Sequence, residues 1–449
     1  MTRQVVIMNN TDMRIVKQSD LQRDDRTWKI YWWGSHRDHA LINTLSMEHR
    51  LRDLVNSRNL AKGYGFQGKS AKGKNYPSDW LKQYRVLPTG KFHSYGKIDF
   101  SSLKTVSEEV YRFGNEDIYK GSRILIKRGV TEAKGANGRI QARLEDVPFC
   151  FRHSIFGISM DGVEKWEKKI ILGVLWSSLT RYYLFHTTGS WGNWHHSVHL
   201  EEILDMPIRL SDDREIQNKI MNSVDRLREF SGSENIFQVD PNYSLASLEK
   251  ELDDAIFELY ELNEAEQDLI RDFCTYGLDL FYNSTHSNAL KPIRLPSRKQ
   301  GTINADALTK SKGLPEGLEG YILVFLSIWN PELEPDGELS WRVVRSTGNA
   351  PMIGVIFSTK YKNQPIPVIK DTEESLWNEV LTKLGDNILY PYNSKKIYVD
   401  GMVRAVTDTE IFVIKRSETR LWTRSSARED AEATLVQAMN LQNMARSKI

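Results

Sequence analysis

Hydrophobic positions along this chain recur in blocks of different period, and the blocks predict its elements. In HALINTLSMEHRLRDLVNSRNLA, Leu41, Leu45, Leu51, Leu54 and Val55 return at near-helical spacing, which predicts a helix. TWKIYWWGS reads as a strand with aromatic partners. GSRILIKRG and FCFRHSIFGIS read as strands bounded by glycine. KIILGVLWSSLTRYYLFHT is apolar and free of glycine after Gly173, as expected of a buried helix. Residues 1–208 are therefore expected to form one mixed α/β domain.

The rhythm changes at residue 211. DDREIQNKIMNSVDRLREF places Ile216, Ile220, Val224 and Leu227 on one helical face, with Asp212 and Asp213 as capping candidates. LASLEKELDDAIFELYEL carries a second stripe of Leu248, Leu252, Ile256, Leu259 and Leu262. NEAEQDLIRDFCTYG adds a third helix, with Asn263 as cap and Gly277 past its end. Residues 209–283 thus predict a helical spacer, an antiparallel pair or a dimerisation arm. Residues 284–318 are polar, with Pro, Gly and basic residues, and read as a linker. Residues 319–449 read as a second, C-terminal α/β domain. In it GYILVFLSIW, LSWRVVRS, MIGVIFST, KKIYVDGMVRAV and EIFVIKR are expected as strands, and SLWNEVLTKLGDN and AREDAEATLVQAMNLQNMA as helices. The fold class is mixed α/β, of the α+β kind.

A chain of 449 residues exceeds one ordinary core, so more than one domain is expected. The longest apolar run, YILVFLSIW, falls well short of the roughly 20 residues of a membrane span, and the first residues lack the apolar core of a signal peptide. With only Cys150 and Cys274, far apart in sequence, a reducing cytoplasm is expected, without a cysteine-based zinc site.

The net charge of +2 hides an asymmetry. Residues 62–152 hold 18 Lys and Arg against 9 Asp and Glu, whereas residues 211–280 hold 6 against 18. Adjacent basic and acidic segments suggest two partners of opposite character; ordinary solvated faces are the alternative.

Residues 63–68, GYGFQG, spell the G-x-G-x-x-G spacing of a phosphate loop. That motif needs a strand before it and a helix after it, so that helix N–H groups meet the phosphate. Here a predicted helix precedes and KSAKGKNYPSDW, a loop, follows. A basic surface loop fits better, and Tyr64 and Phe66 leave room for nucleic-acid contact.

Three pieces in order then carry a resemblance: ILGVLWSSLTRYYLFHTTGSWG, HLEEILDMPI and LEKELDDAIFELYELNEAEQDLIRDF. Over about residues 20–280 the chain resembles the target-recognition region of bacterial N6-adenine DNA methyltransferases. That region occurs in fused restriction-modification enzymes and in type I specificity subunits. The matching positions are residues 173–178, 189–191, 204–208 and 252–264. The resemblance implies a recognition domain for double-stranded DNA followed by spacer helices. It also implies a separate adenine methyltransferase subunit that brings S-adenosylmethionine, with no cofactor in this chain. Such methyltransferases use an Asn/Asp-Pro-Pro-Tyr/Phe loop to hold the flipped base. This chain has no Pro-Pro pair; its nearest approach is Asp240-Pro241-Asn242-Tyr243. The chain alone is therefore expected to be non-catalytic.

Other chemistry is weakly signalled. Pro335-Asp336 lacks the Glu-x-Lys that a nuclease needs. His195, His196 and His199 would converge on a metal only on a helix. For DNA the candidates are Lys62, Tyr64, Phe66, Lys69, Lys72 and Lys74 on the Gly-rich stretch; Arg123, Lys127, Arg128, Lys134 and Arg139 on and after the RILIK strand; and Trp191, Trp194 and His195. Leu248, Leu252, Ile256 and Leu259 are the candidates for holding the methyltransferase. The expected function is a sequence-recognition subunit in restriction-modification or anti-phage defence, alongside other defence proteins. The rivals are a non-catalytic adaptor of a defence complex, and an enzyme with its site in the C-terminal domain.

Overall fold

The computed structural model describes residues 15–106, 109–130, 139–192, 196–230, 244–304, 315–346, 351–367, 371–388 and 402–446. They fall into two units, one spanning Val16–Cys274 and one made of Ile15 and the described residues from Thr275 onward. Helices and strands are mixed in both. The spacer helices therefore do not form a domain of their own. They belong to the first unit, and its boundary lies well past residue 208.

The first unit opens with four helices, α1 (Gln18–Arg23), α2 (Arg26–Trp33), α3 (His36–Leu45) and α4 (Leu51–Ser57). The expected strand at TWKIYWWGS is helix α2. Thr27 and Ile30, three apart, are buried, while Trp28 and Trp32 stay exposed, so the burial has the helical period. Aromatic enrichment misled here because β-propensity mostly measures packing context. The single helix expected over residues 39–61 is two. The chain turns after Leu45, and the Leu51 N–H donates to the Met206 carbonyl at 2.9 Å.

An antiparallel sheet follows, in the order β1 (Lys62–Tyr64), β8 (Ile155–Ser159), β5 (Arg123–Lys127), β6 (Ala142–Glu145). Two small ladders flank it: β2 (Gln67–Gly68) with β4 (Val110–Arg112), and β3 (Val86–Leu87) parallel to β7 (Cys150–Phe151). The buried apolar run after residue 165 is helical as expected, but in two pieces, α5 (Lys165–Trp176) and α6 (Ser178–Thr187). Ser177 breaks the run and caps α6 through Thr180 N–H.

After α7 (Leu200–Leu204), helices α8 (Arg214–Glu229), α9 (Leu245–Leu259) and α10 (Glu264–Asp272) form where the apolar stripes predict them. Asp213 and Asn263 cap α8 and α10. Gly277 does not end the third helix. Its backbone is helical at φ −65°, and a π-turn at Phe273–Gly277 leads into α11 (Leu278–Asn283).

The stripes of α8 and α9 pack inward on α5. Gly173 makes this possible: a Cβ there would stand 3.1–3.3 Å from Ile220, Val224 and Leu252 side chains. Leu248, Leu252, Ile256 and Leu259 are consequently buried, three of them completely. A seam already filled by its own unit offers no apolar surface to a partner, which corrects the expectation for these four residues.

The second unit is built on a five-stranded antiparallel sheet, β12 (Met402–Val406), β13 (Glu410–Arg416), β11 (Met352–Tyr361), β10 (Gly337–Arg345) and β9 (Gln300–Gly301). Residue parity sorts its two faces. Ile353, Val355, Phe357, Ile411 and Val413 meet Phe325, Trp329 and Trp422. Ile356, Phe412 and Ile414 meet Leu376, Val380 and Leu384 of the Glu373–Ile388 helix. The expected strand GYILVFLSIW is the Gly317–Trp329 helix, which packs against the Arg424–Arg446 helix. A short, unbroken apolar run has no period to separate a buried strand from a buried helix. The stretch expected as a linker also contributes: residues 284–304 hold short 3-10 turns and the edge strand β9, while residues 305–314 lie outside the described ones.

Candidate nucleic-acid interface

The basic segment of the first unit contains two populations of cations, and burial separates them. Arg123, on β5, is fully buried. Its guanidinium donates to the carbonyls of Gly121 at 2.8 Å and Val147 at 2.7 Å and lies 4.5 Å from the Phe149 ring centre. Burial pulls its pKa down to about 10. Arg143 is likewise interior, paired with Glu145 at 2.6 Å and donating to the Gly96 carbonyl at 2.9 Å. Arg139 donates to the Trp176 carbonyl at 2.8 Å and pairs with Glu249 at 3.0 Å. It ties the sheet region to α9. Arg123 and Arg139, expected at base edges, are thus spent inside the fold.

The other population faces outward. Lys72 and Lys74 are exposed, and Lys74 lies 5.4 Å from the Tyr76 ring centre. Lys69 is exposed but paired with Glu109 at 3.1 Å. Lys62 donates to Asn56 at 3.2 Å. Lys127 and Arg128 are half-buried, and an Arg128 nitrogen lies 3.5 Å from His199. Trp191 is fully buried in an edge contact with Phe185, which removes it from any surface role. Lys134, Trp194 and His195 lie outside the described residues, as does Asp240-Pro241-Asn242-Tyr243. Among the described residues no group of three or more His, Cys, Asp and Glu is placed to hold a metal.

The GYGFQG stretch is not the surface loop expected. It is strand, crossing and strand. Gly65 is required by close approach, because a Cβ there would lie 2.1 Å from the Phe151 carbonyl oxygen. The stretch is stitched down by Gly65 N–H to Ile155 O at 3.0 Å, Phe66 N–H to Phe151 O at 2.9 Å and His153 N–H to Phe66 O at 2.9 Å. No helix opens after it; the next helical turn is a 3-10 turn at Asp79–Gln83. Tyr64 is half-buried, and its hydroxyl accepts from Leu200 N–H at 3.0 Å. Phe66 is only 1% exposed, so its ring is core and not a free stacking surface.

Phe66 does, however, line a cleft of about 360 Å³ with Val86, Pro88, Lys91, Lys104 and Arg152. The parallel pairing of β3 with β7 builds it. Val86 lies opposite Cys150 and Leu87 opposite Phe151, so Pro88 and Arg152 leave the ladder at the same end. Val86 N–H then donates to the Lys104 carbonyl at 2.7 Å, which fixes the third segment. Lys91 reaches Ser102 Oγ at 3.5 Å, and Arg152 stands 5.7 Å from the Phe66 ring centre. Lys91, Lys104 and Arg152 are all exposed.

Among the described residues no carboxylate pairs with Lys91 or Lys104, and none lines the cleft. Lys91 and Lys104 share this cleft; like charges so placed repel one another, and a bound anion relieves the repulsion. Sequence reasoning did not single out Lys91, Lys104 or Arg152. The three come from segments far apart in sequence, and only a non-local strand pairing joins them. Ser154 links this cleft to the end of β5: its carbonyl accepts from Arg128 N–H at 2.8 Å, and its hydroxyl lies 2.6 Å from that of Thr89. No family model matches the chain, and a search of the curated proteins finds no relative.

Proposed function

We propose that this protein is a recognition subunit for double-stranded DNA that directs a separate N6-adenine methyltransferase in a restriction-modification or anti-phage defence system. The observation that carries the reading is a set of exposed lysines in one basic segment, Lys72, Lys74, Lys91 and Lys104, the last two lining one cleft with Arg152. Lys and Arg in such an array contact phosphates and supply sequence-independent affinity. The ordered motifs that resemble a target-recognition region supply the methyltransferase partner and its methyl donor. That partner would meet polar surface, since the apolar stripe of α9 is already buried.

A second reading, a non-catalytic adaptor without sequence choice, is favoured by one fact. The two arginines best suited by sequence to read bases, Arg123 and Arg139, are committed to the protein's interior. One titration separates the readings: anisotropy of labelled duplexes of different sequence at several salt concentrations, with and without the methyltransferase. Recognition predicts a steep salt slope and at least about tenfold preference for one sequence, worth 1.4 kcal/mol. A steep slope with no preference supports the adaptor. A slope near zero removes DNA from both.

A further inference from the structure

Arg128 is held differently from its neighbours in the basic segment. Arg85, Arg123, Arg139 and Arg143 spend their guanidinium groups on protein oxygens: the Phe100 carbonyl at 2.9 Å, the Val147 carbonyl at 2.7 Å, Glu249 at 3.0 Å and Glu145 at 2.6 Å. Arg128, half-buried just past β5, meets a nitrogen instead, His199 Nε2 at 3.5 Å. A guanidinium only donates, so the imidazole accepts, and this one long contact leaves most of the fork's N–H groups uncommitted. Among the described residues no carboxylate pairs with Arg128. Its backbone is pinned on both sides, by its N–H to the Ser154 carbonyl at 2.8 Å and by Val198 N–H to its own carbonyl at 2.9 Å. His199 is held as well: its N–H donates to Glu202 at 2.7 Å, and its Nε2 lies 3.1 Å from the Ser190 hydroxyl. Ser154 in turn touches Thr89, next to Pro88 at the rim of the cleft that Lys91 and Lys104 line.

We propose that Arg128 reads a guanine edge in the major groove, its fork donating to O6 and N7, with His199 as its positioning residue. Two features choose a base over a phosphate. Lys72, Lys74, Lys91 and Lys104 are exposed on flexible stems, and such point charges suit phosphates. A planar fork on a pinned backbone presents parallel N–H groups at a fixed place, and O6 and N7 of guanine accept that pair. The imidazole steadies the fork without cancelling its charge, and holding it in place beforehand lowers the cost of ordering on binding. The inference rests on the DNA reading, and it supplies the base contact that the interior Arg123 and Arg139 cannot make.

The test uses the full chain: selection of bound duplexes from a random-sequence pool, then anisotropy titration of the selected duplex at several salt concentrations. The wild-type selection should contain one G·C pair whose replacement weakens binding at least about fivefold, the lower end for a bidentate arginine–guanine contact. Arg128→Ala should abolish that discrimination while binding the replaced duplex as wild type does, with the salt slope kept. Arg128→Lys, which keeps the charge and loses the fork, should lose most of the discrimination and serves where the alanine variant fails to fold. 7-Deazaguanine at the same position lacks the N7 acceptor, so it should weaken wild type and leave Arg128→Ala unaffected. His199→Ala should reduce the same discrimination, and His199→Gln, whose amide oxygen still accepts from Arg128, should restore it.

A loss shared by all sequences, with a salt slope about one unit flatter, overturns the proposal and assigns Arg128 to a phosphate. Wild-type discrimination kept by folded Arg128 variants also overturns it, and the DNA reading stands. Duplex binding by wild type with no preferred sequence overturns it too and leaves the adaptor. If wild-type protein binds no duplex at all, the DNA reading fails and the inference falls with it.

Discussion

The Asp253 carboxylate on α9 accepts two hydrogen bonds from Ser178 at the start of α6, one from the backbone N–H at 2.6 Å and one from the hydroxyl at 2.5 Å. Arg139 stands 3.8 Å from the same carboxylate, and the Arg181 guanidinium donates to Ser178 Oγ at 2.7 Å. A helix expected as part of a spacer beyond the first domain thereby holds the start of a helix within it. Asp253→Ala should destabilise the first unit by about 3 kcal/mol, because buried donors and a guanidinium lose their acceptor together. Denaturant titration reads this as a lower midpoint; an unchanged midpoint would mean the contact carries no stability.

Leu252→Asp tests the same point from the apolar side. Leu252 is fully buried against Gly173. A carboxylate there should cost several kcal/mol and unfold the unit. Circular dichroism decides the matter: a folded Leu252→Asp protein that merely loses a binding partner would restore α9 as a docking arm.

Arg123→Ala and Lys104→Ala should diverge. The arginine variant loses three backbone carbonyl contacts and should fall in stability, with the salt slope of DNA binding unchanged. The lysine variant should keep its stability and flatten that slope by about one unit. Paired thermal melts and salt titrations check both halves. A sequence preference lost only in a fully folded Arg123→Ala protein would return that residue to the DNA.

His186 makes the first unit sensitive to acid. It is fully buried, held by the Tyr182 carbonyl at 2.8 Å and packed on Phe273, and burial lowers its pKa from 6.5 to about 4. The unfolded chain therefore binds the proton first. The stability held above pH 6.5 is lost progressively as pH falls toward 4, by about 2 kcal/mol between pH 7 and pH 5. Denaturation at several pH values should show this slope in wild type and lose His186's share of it in His186→Phe. Identical slopes would place the proton elsewhere.

In the second unit, Asp430 is fully buried between Arg404, at 2.6 Å, Lys415 and the Tyr321 hydroxyl. Asp430→Ala leaves the buried Lys415 without its ion-pair partner and takes the nearer carboxylate from the half-buried Arg404, which keeps Glu429 at 3.8 Å, and should cost about 3–5 kcal/mol. Recovery of most of that loss by Lys415→Met in the same chain, seen in the denaturant midpoint, would show that the unpaired charge is the cause.

Local rules were legible in the sequence wherever one residue type meets one physical demand. Asp213 and Asn263 cap helices because their side chains accept from N–H groups two and three residues on, and no distant contact is needed. The apolar, β-branched runs in EIFVIKR and MIGVIFST, bounded by polar residues, marked β13 and β11, and the stripes at Ile220, Val224, Leu248 and Leu252 marked α8 and α9. Tertiary structure decided what those faces touch. TWKIYWW and GYILVFLSIW are helical because packing partners overrode strand-like composition. Arg123 and Lys104 are both cations of one basic segment, yet one is core and one is surface. Only the parallel ladder of Val86–Leu87 with Cys150–Phe151 brings Lys91, Lys104 and Arg152 around Phe66, and a pairing across that much chain leaves no periodic trace in the sequence.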